Sequence, residues 1–229
     1  MPGASGPVGG RAKRALDLAI AVPAAIVLAP LMAALAIWVR RDSPGGAIFR
    51  QARVGYRGRP FQLLKFRSMV TGAERIGAGL AVTAGDDRIT RAGAFLRRYS
   101  LDELPQLWNV IRGDMSLVGP RPTVAWQVEH YDARQRRRLD ARPGLTGLAQ
   151  VSGRNRLKWS ERIELDLRYV DGWSLRGDLA LLLRTAWVVL RRAGAYRDEG
   201  TPPQFDLPRR GDAAGAGDNR PGGAGPGER

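Results

Sequence analysis

From Leu18 to Val39 the chain reads LAIAVPAAIVLAPLMAALAIWV without one charged residue, and nothing else in it limits the fold so strongly. As a straight helix this segment would extend roughly 33 Å, close to the roughly 30 Å hydrocarbon thickness of a bilayer. A cleaved secretory leader has a shorter apolar region of about 7–15 residues, so the run exceeds that pattern. Its flanks narrow the choice further: Lys13 and Arg14 precede it, and Arg40 and Arg41 follow it as closely. Basic residues favour the cytoplasmic side, so positive flanks at both ends predict that both ends stay there. A helix that enters one leaflet and turns back meets this demand. Pro30 lacks an N–H and crowds the preceding turn, which makes it the expected point of the bend. The sequence therefore predicts a flexible start over 1–10 and a re-entrant membrane helix over 11–41, with Lys13, Arg14 and Pro30 as its membrane-setting residues.

After Ser43-Pro44-Gly45-Gly46 the pattern becomes globular, and an apolar content of 44% is enough for one core. IFRQARV and PFQLLKF around Gly55-Tyr56-Arg57-Gly58 predict two short strands and a turn. Residues 71–87, rich in Gly and Ala, predict a mobile loop. Helices are expected over 90–99, 101–112, 123–139, 157–171 and 176–193, an extended piece at MSLVGPRP, and a turn-rich stretch with one strand over 141–155. The fold class is α+β: a re-entrant membrane helix followed by a small mixed helical domain with a short β-hairpin or sheet, over 42–196. Beyond Leu207 no large apolar residue remains, so the tail over 197–229 cannot offset its ordering entropy and is predicted to be disordered.

The absence of cysteine removes disulfides, thiolate nucleophiles and cysteine-held metals, and a single histidine, His130, removes His-rich metal sites. Carboxylates are then the reacting groups to look for. A formal net charge of +15 implies attraction to polyanions: nucleic acid, anionic lipid or phosphorylated substrates. Neither a GxxxxGK[ST] loop nor a GxGxxG turn is present, which argues against Walker-type nucleotide binding and a dinucleotide fold.

Ser100-Leu101-Asp102-Glu103 precedes an apolar-periodic run and reads as a capping box, with Ser100 as N-cap and Glu103 at the third helical position. Capping and catalysis are compatible, because a helix start also favours phosphate. Asp102 could attack phosphorus while Glu103 handles a proton or a metal ion. Arg97, Arg98, Arg112 and Arg121 lie around the pair, and guanidinium forks suit phosphate oxygens. Arg121 is held between Pro120 and Pro122, which fixes its backbone.

Taken together, Lys13-Arg14-Ala15-Leu16-Asp17, Pro30, PFQLLKFRSM, SLDELPQLWNVIRGDMSLVGPRP, RPGLTGLAQVSGRN and LDLRYV resemble the bacterial sugar transferases known as monotopic phosphoglycosyl transferases. The resemblance runs from about residue 11 to about residue 195. It implies a broken re-entrant helix in the cytoplasmic leaflet of the bacterial inner membrane, with the break at Pro30. It implies that Asp102 of the Asp102-Glu103 pair attacks the diphosphate of a UDP-sugar, releasing UMP. Polyprenyl phosphate, such as undecaprenyl phosphate, would then accept the phosphosugar, which begins glycan or exopolysaccharide assembly ahead of downstream glycosyltransferases. Magnesium is implied, with Asp102 and Glu103 as its ligands. Implied substrate-binding residues are Arg97, Arg121, Lys65, Arg67, Arg142 and Arg154. Ala29 stands where Ser often precedes the break, Leu148 where Trp is common and Ser152 where Asn is common, departures that bear on the break and on sugar or nucleotide preference. The chain resembles the small catalytic-core form.

A rival from another class is a membrane-tethered nucleic-acid-binding protein, which accounts for the charge but leaves Pro120-Arg121-Pro122 and the acidic pair unexplained. The sequence therefore favours an enzyme acting on a phosphorylated small molecule and a membrane lipid, with no nucleic acid.

Overall fold

A computed structural model describes residues 7–73, 86–153, 157–191 and 206. Helix α1, Gly10–Asp42, is 33 residues long and contains the apolar run whole. An 18-residue window of it has a mean hydropathy of 2.5, and only 11% of that window is buried. Ile26 and Val27 are 69% and 76% exposed, so this is no core helix of a water-soluble domain; its exposed apolar middle marks it as a membrane helix. The helix runs on through both Pro23 and Pro30, so any bend at Pro30 lies inside one helix and not between two. Each proline deletes one rung of the hydrogen-bond ladder while the neighbouring rungs remain.

Both ends of α1 are fastened to one globular domain. At the N-terminal end Lys13 Nζ meets Asp178 Oδ2 at 2.6 Å, and Arg14 donates to the carbonyls of Val110 and Ile111 at 2.6 and 2.7 Å. One turn on, Asp17 Oδ1 accepts from Ser116 Oγ and the Leu117 amide at 2.9 and 3.0 Å. At the C-terminal end Leu35 and Val39 pack with Phe66, Ala92 and Leu96, and Asp42 accepts from the Ala92 amide at 2.9 Å.

The strands β1, Ile48–Val54, and β2, Pro60–Phe66, pair antiparallel, from Ile48 opposite Phe66 to Val54 opposite Pro60. They occupy the segments where alternation placed them. Helices α2, Arg91–Arg98, and α3, Gln106–Arg112, follow, separated by a 3-10 turn at Leu101–Glu103. A parallel pair joins β3, Ser116–Val118, to β4, Gly144–Thr146, with Ser116 opposite Gly144 and Val118 opposite Thr146. The single helix expected over 123–139 is instead α4, Ala125–Glu129, and a 3-10 stretch, Gln135–Asp140. Asp132 and Gln135 divide them: Asp132 Oδ1 accepts from the Gln135 amide at 2.7 Å, and Gln135 Oε1 accepts from the Asp132 amide at 3.1 Å. This reciprocal pair starts a new helical segment. The turn-rich 141–155 stretch holds β4 and α5, Leu148–Ser152. Helices α6, Trp159–Asp171, and α7, Leu175–Arg191, complete the α+β domain.

The core gathers where α1, β2, α3, β3 and α6 meet, around Ala21, Leu63, Leu107, Val110, Met115, Leu117, Val118 and Tyr169. Asn109, fully buried, ties α3 to β2 by accepting from the Leu64 amide at 3.0 Å and donating to the Gln62 carbonyl at 2.7 Å. The loop expected over 71–87 falls mostly outside the described residues. So does the tail expected over 197–229, apart from Asp206, which caps α6 by accepting from the Ser160 amide and hydroxyl at 2.9 and 2.6 Å.

Candidate active site

The helix expected to begin at Ser100 begins later. Ser100 has a left-handed backbone (φ 56°) and its side chain makes no capping bond; Asp102 and Glu103 lie in the 3-10 turn, and α3 follows Pro105. Proline is tolerated in the first turn of a helix, where its missing N–H is not needed, so Pro105 sets the start of α3. The acidic pair is thereby lifted out of a regular helix into a tight turn, where two adjacent side chains diverge.

The two carboxylates have different surroundings. Glu103 Oε1 meets Lys65 Nζ at 2.9 Å and Arg121 Nη2 at 3.2 Å. Burial pushes its pKa up, but Lys65 and Arg121 outweigh burial and hold it at about 2. Asp102 is 7% exposed. Burial raises its pKa, opposed by the charge of Lys65 and reinforced by Glu103, with Arg97 and Arg121 also lowering it. Its charged neighbours act on it through space, whereas Glu103 is bonded directly. Glu103 is thus a fixed anion, and Asp102 the more basic and less committed of the two.

Arg97 reaches the site from α2, where its Nε donates to Ser68 Oγ at 3.1 Å. A Cβ on Gly93 would stand 1.9 Å from the Ser68 carbonyl oxygen, so only glycine lets α2 approach closely enough for this bond. Arg121 leaves the tight stretch after β3, where a Cβ on Gly119 would lie 2.3 Å from the Arg142 carbonyl oxygen. Its backbone is anchored by Arg138, which donates to the Arg121 carbonyl at 2.6 Å while pairing with Asp166 at 2.6 Å.

These groups line one cavity of about 1200 Å³. Its wall includes Lys65, Arg97, Asp102, Glu103 and Arg121 together with apolar residues of α1 (Ala24, Leu28), α3 (Leu107) and α7 (Leu182, Ala186). An ionic region and the flank of the membrane helix therefore share one open cavity. The structure brings together Lys65, Arg97, Asp102, Glu103 and Arg121 from the residues singled out in the sequence.

Two others are placed differently. Arg67 lines the cavity, but its guanidinium donates to the carbonyls of Val39 and Ser43 at 3.1 and 2.7 Å and to that of Pro44, closing the C-terminal end of α1. Those last carbonyls have no helical partner, and a cation suits them. Arg142 is absent from the cavity wall; it feels burial first and then Arg14 and Asp17, which places it toward the N-terminal end of α1. Arg154 lies outside the described residues.

Sequence reading missed Arg53 and Arg162, which line the same cavity. Each had a signal. Along β1 the half-buried face carries Phe49, Gln51 and Arg53, so alternation alone turns Arg53 inward. On α6 the buried residues Trp159, Ile163 and Asp166 define a stripe, and Arg162 stands three residues after Trp159 on that face. Gln150 was also missed: it lines the cavity with both amide atoms buried and without a hydrogen bond among the described residues.

Magnesium is implied by the resemblance. Among the described residues no group of three or more His, Asp or Glu side chains could cage a metal. Two neighbouring carboxylates, Asp102 and Glu103, on the wall of a cavity that also holds Lys65, Arg97 and Arg121 suit Mg²⁺, which keeps waters and takes one or two carboxylates plus substrate phosphates.

The chain is similar to several bacterial proteins. The exopolysaccharide production protein ExoY of Sinorhizobium fredii is 41% identical over 209 residues, 85% of this chain and 92% of that protein. A UDP-glucose:undecaprenyl-phosphate glucose-1-phosphate transferase of Caulobacter vibrioides is 46% identical over 192 residues, 80% of this chain and 72% of that protein. The UDP-galactose-lipid carrier transferase of Erwinia amylovora is 44% identical over 198 residues, 80% of this chain and 41% of that protein. The chain spans only 41–42% of the length of this and other such relatives. Residues 8–192 match the family described as Bacterial sugar transferase, a span that takes in α1 and every cavity residue above, and the chain belongs to that family.

Proposed function

We propose that this protein transfers a sugar 1-phosphate from a UDP-sugar to undecaprenyl or another polyprenyl phosphate, releasing UMP, at the cytoplasmic face of the bacterial inner membrane. The observation that carries this reading is the single cavity whose wall joins an acidic pair and a cationic arc to the flank of the membrane helix. A substrate that is anionic at one end and a long hydrocarbon at the other needs both halves. Relatives named for UDP-glucose, undecaprenyl phosphate and exopolysaccharide production support the substrate classes.

In this reading Asp102 Oδ attacks the sugar-bearing phosphorus. The new O–P bond forms as the bond to the UMP oxygen breaks, and the electron pair leaves with UMP. An oxygen of the polyprenyl phosphate then displaces Asp102 and takes the phosphosugar. Burial makes Asp102 more basic, and a more basic carboxylate is the stronger nucleophile once ionised. Lys65 and Arg97 hold the phosphate under attack, and Arg121 spans the gap between Glu103 and the nucleotide side. Asp102 and Glu103 would hold Mg²⁺, which when bound would neutralise diphosphate charge. With the N- and C-terminal ends of α1 fixed to one domain, both belong on one side of the bilayer, which supports a re-entrant seat for this helix. The nucleic-acid reading has no support from the relatives.

The test presents a panel of UDP-sugars with undecaprenyl phosphate and magnesium and measures UMP. Metal-dependent UMP release with one sugar supports the reading; no release with any sugar sinks it. For the membrane seat, cysteines placed at Ser5 and Ser43 should both resist an impermeant reagent in intact cells. Labelling of either from outside would exclude the one-sided arrangement.

A further inference from the structure

Trp38, Phe95 and Tyr99 form an aromatic ladder that the chemistry at Asp102 leaves unused. Trp38 stands near the C-terminal end of α1, Phe95 lies on α2, and Tyr99 is the C-cap residue of α2. The ring centroids of Trp38 and Phe95 are 5.2 Å apart and those of Phe95 and Tyr99 4.8 Å, with planes tilted by 55° and 51°. The two ends of the ladder have different surroundings. Tyr99 lines the cavity a few residues before Asp102, whereas Trp38 belongs to the membrane helix.

Core packing does not account for these rings. Helix α2 buries Ala92, Gly93 and Leu96, and two of these, Ala92 and Leu96, pack with Leu35, Val39 and Phe66. Phe95 and Trp38 stand outside that cluster and are 41% and 40% exposed. Exposed aromatic rings gathered in one patch mark a contact surface. The backbone beneath them is fixed, because Asp42 accepts from the Ala92 amide at 2.9 Å and Thr90 Oγ1 accepts from the Gly93 amide at 3.0 Å. Polarity also falls along the ladder. Arg97 lines the cavity and the Arg98 guanidinium stands 5.7 Å from the centroid of the Tyr99 ring, while α1 carries no charge between Leu18 and Val39.

We propose that the ladder receives the hydrocarbon tail of the polyprenyl phosphate acceptor where it leaves the cavity, and so leads the lipid phosphate toward Asp102. This rests on the transfer reaction above. An acceptor whose phosphate lies in the cavity must keep its tail out of water between the cavity and the bilayer. Laid over Tyr99, Phe95 and Trp38, the tail stays covered along that path and packs on the ring faces. Rings that served only to seat the protein at the bilayer surface would need Trp38 and Phe95 alone. The continuation through Tyr99 to the cavity wall points to a substrate.

The experiment uses the full chain in vesicles of phosphatidylethanolamine and phosphatidylglycerol, with the variants Trp38→Gln, Phe95→Gln, Phe95→Leu and Leu28→Gln. UMP release from the active UDP-sugar is followed first without acceptor and then against the mole fraction of undecaprenyl phosphate. Trp38→Gln and Phe95→Gln should each raise KM for undecaprenyl phosphate about fivefold or more through lost apolar contact, while acceptor-free release stays within about twofold. Phe95→Leu keeps an apolar surface without the ring and should recover part of the loss. Vesicle association, measured by flotation, should match wild type in all three ladder variants. KM within about twofold of wild type in both Gln variants of the ladder overturns the proposal, and a rise confined to Leu28→Gln would then give the tail to the middle of α1. Loss of vesicle association in step with the rise in KM overturns it too, by giving the rings to the bilayer surface. If wild-type protein releases no UMP from any UDP-sugar, the transfer reaction falls and the ladder's role falls with it, a result distinct from either variant outcome.

Discussion

Where α1 begins, Lys13 and Asp178 form a closed pair: the same carboxylate also accepts from Tyr169 Oη and Trp173 Nε1, each at 2.9 Å, and Asp178 is fully buried. The cavity is built the other way. Three carboxylates there, Asp102, Glu103 and Asp166, share one space with Lys65 and several arginines, among them Arg53, Arg97, Arg121, Arg138 and Arg162. A pair that serves the fold neutralises itself and satisfies every donor within reach. In the cavity the cations share their acceptors instead: Glu103 meets both Lys65 and Arg121, and neutral groups, Gln51 Oε1 and the Leu157 carbonyl, accept from Arg53 and Arg162.

The comparison breaks if activity and stability do not separate along it. The largest effect expected is on Asp102→Asn, which should lower turnover on the order of 10⁴-fold and abolish a phosphosugar adduct visible by intact mass, while the melting temperature changes little. Adduct formation by this variant would remove Asp102 as the nucleophile. Asp178→Ala strands Lys13 in the interior and should cost about 3–5 kcal/mol in chemical denaturation. A loss under about 1 kcal/mol would show that the α1 clip is not structural.

Glu103→Gln probes the boundary between the two types, because Glu103 is both bonded and inside the cavity. Its folded pKa is depressed to about 2 from 4.5, so it adds stability above pH about 4.5 that is lost as pH falls toward 2. Stability of the Gln variant should therefore fall less steeply across that window, by about 1–3 kcal/mol, with the opposite raised pKa of Asp102 offsetting part of it. Identical pH profiles for the two proteins would contradict the assignment. The smallest effect belongs to Arg137, whose exposed pair with Asp171 has both side chains about half accessible. Arg137→Ala should change stability by less than about 1 kcal/mol and leave turnover alone.

Much of the fold was legible because it depends on local period. Alternation placed β1 and β2 on their observed residues, and the 3.6-residue pattern found α2, α6 and α7. The capping-box signal at Ser100 misled because Pro105 outranks it: a proline that can sit in a first turn fixes where that turn lies. In the site, Asp102, Glu103 and Arg121 stood out through local context, an acidic dipeptide and two flanking prolines. Arg53 and Arg162 stood out less, since β1 and α6 come to line one cavity only in the folded chain, where Arg53 reaches the Pro122 carbonyl. Arg67 was placed with the substrate by the resemblance of its KFRSM strand, and it does line the cavity. Its four acceptors are contributed by residues 39–44 and 71, a pairing no local pattern announces.

The double fastening of α1 has a mechanical consequence. With Arg14 bonded to the end of α3 and Arg67 to the end of α1, the helix cannot swing relative to the cavity it borders. In the membrane seat proposed above, the distance of the ionic region from the hydrocarbon then follows the depth of the apolar middle of α1. Bilayer thickness adjusts the tilt and depth of such segments at a modest cost.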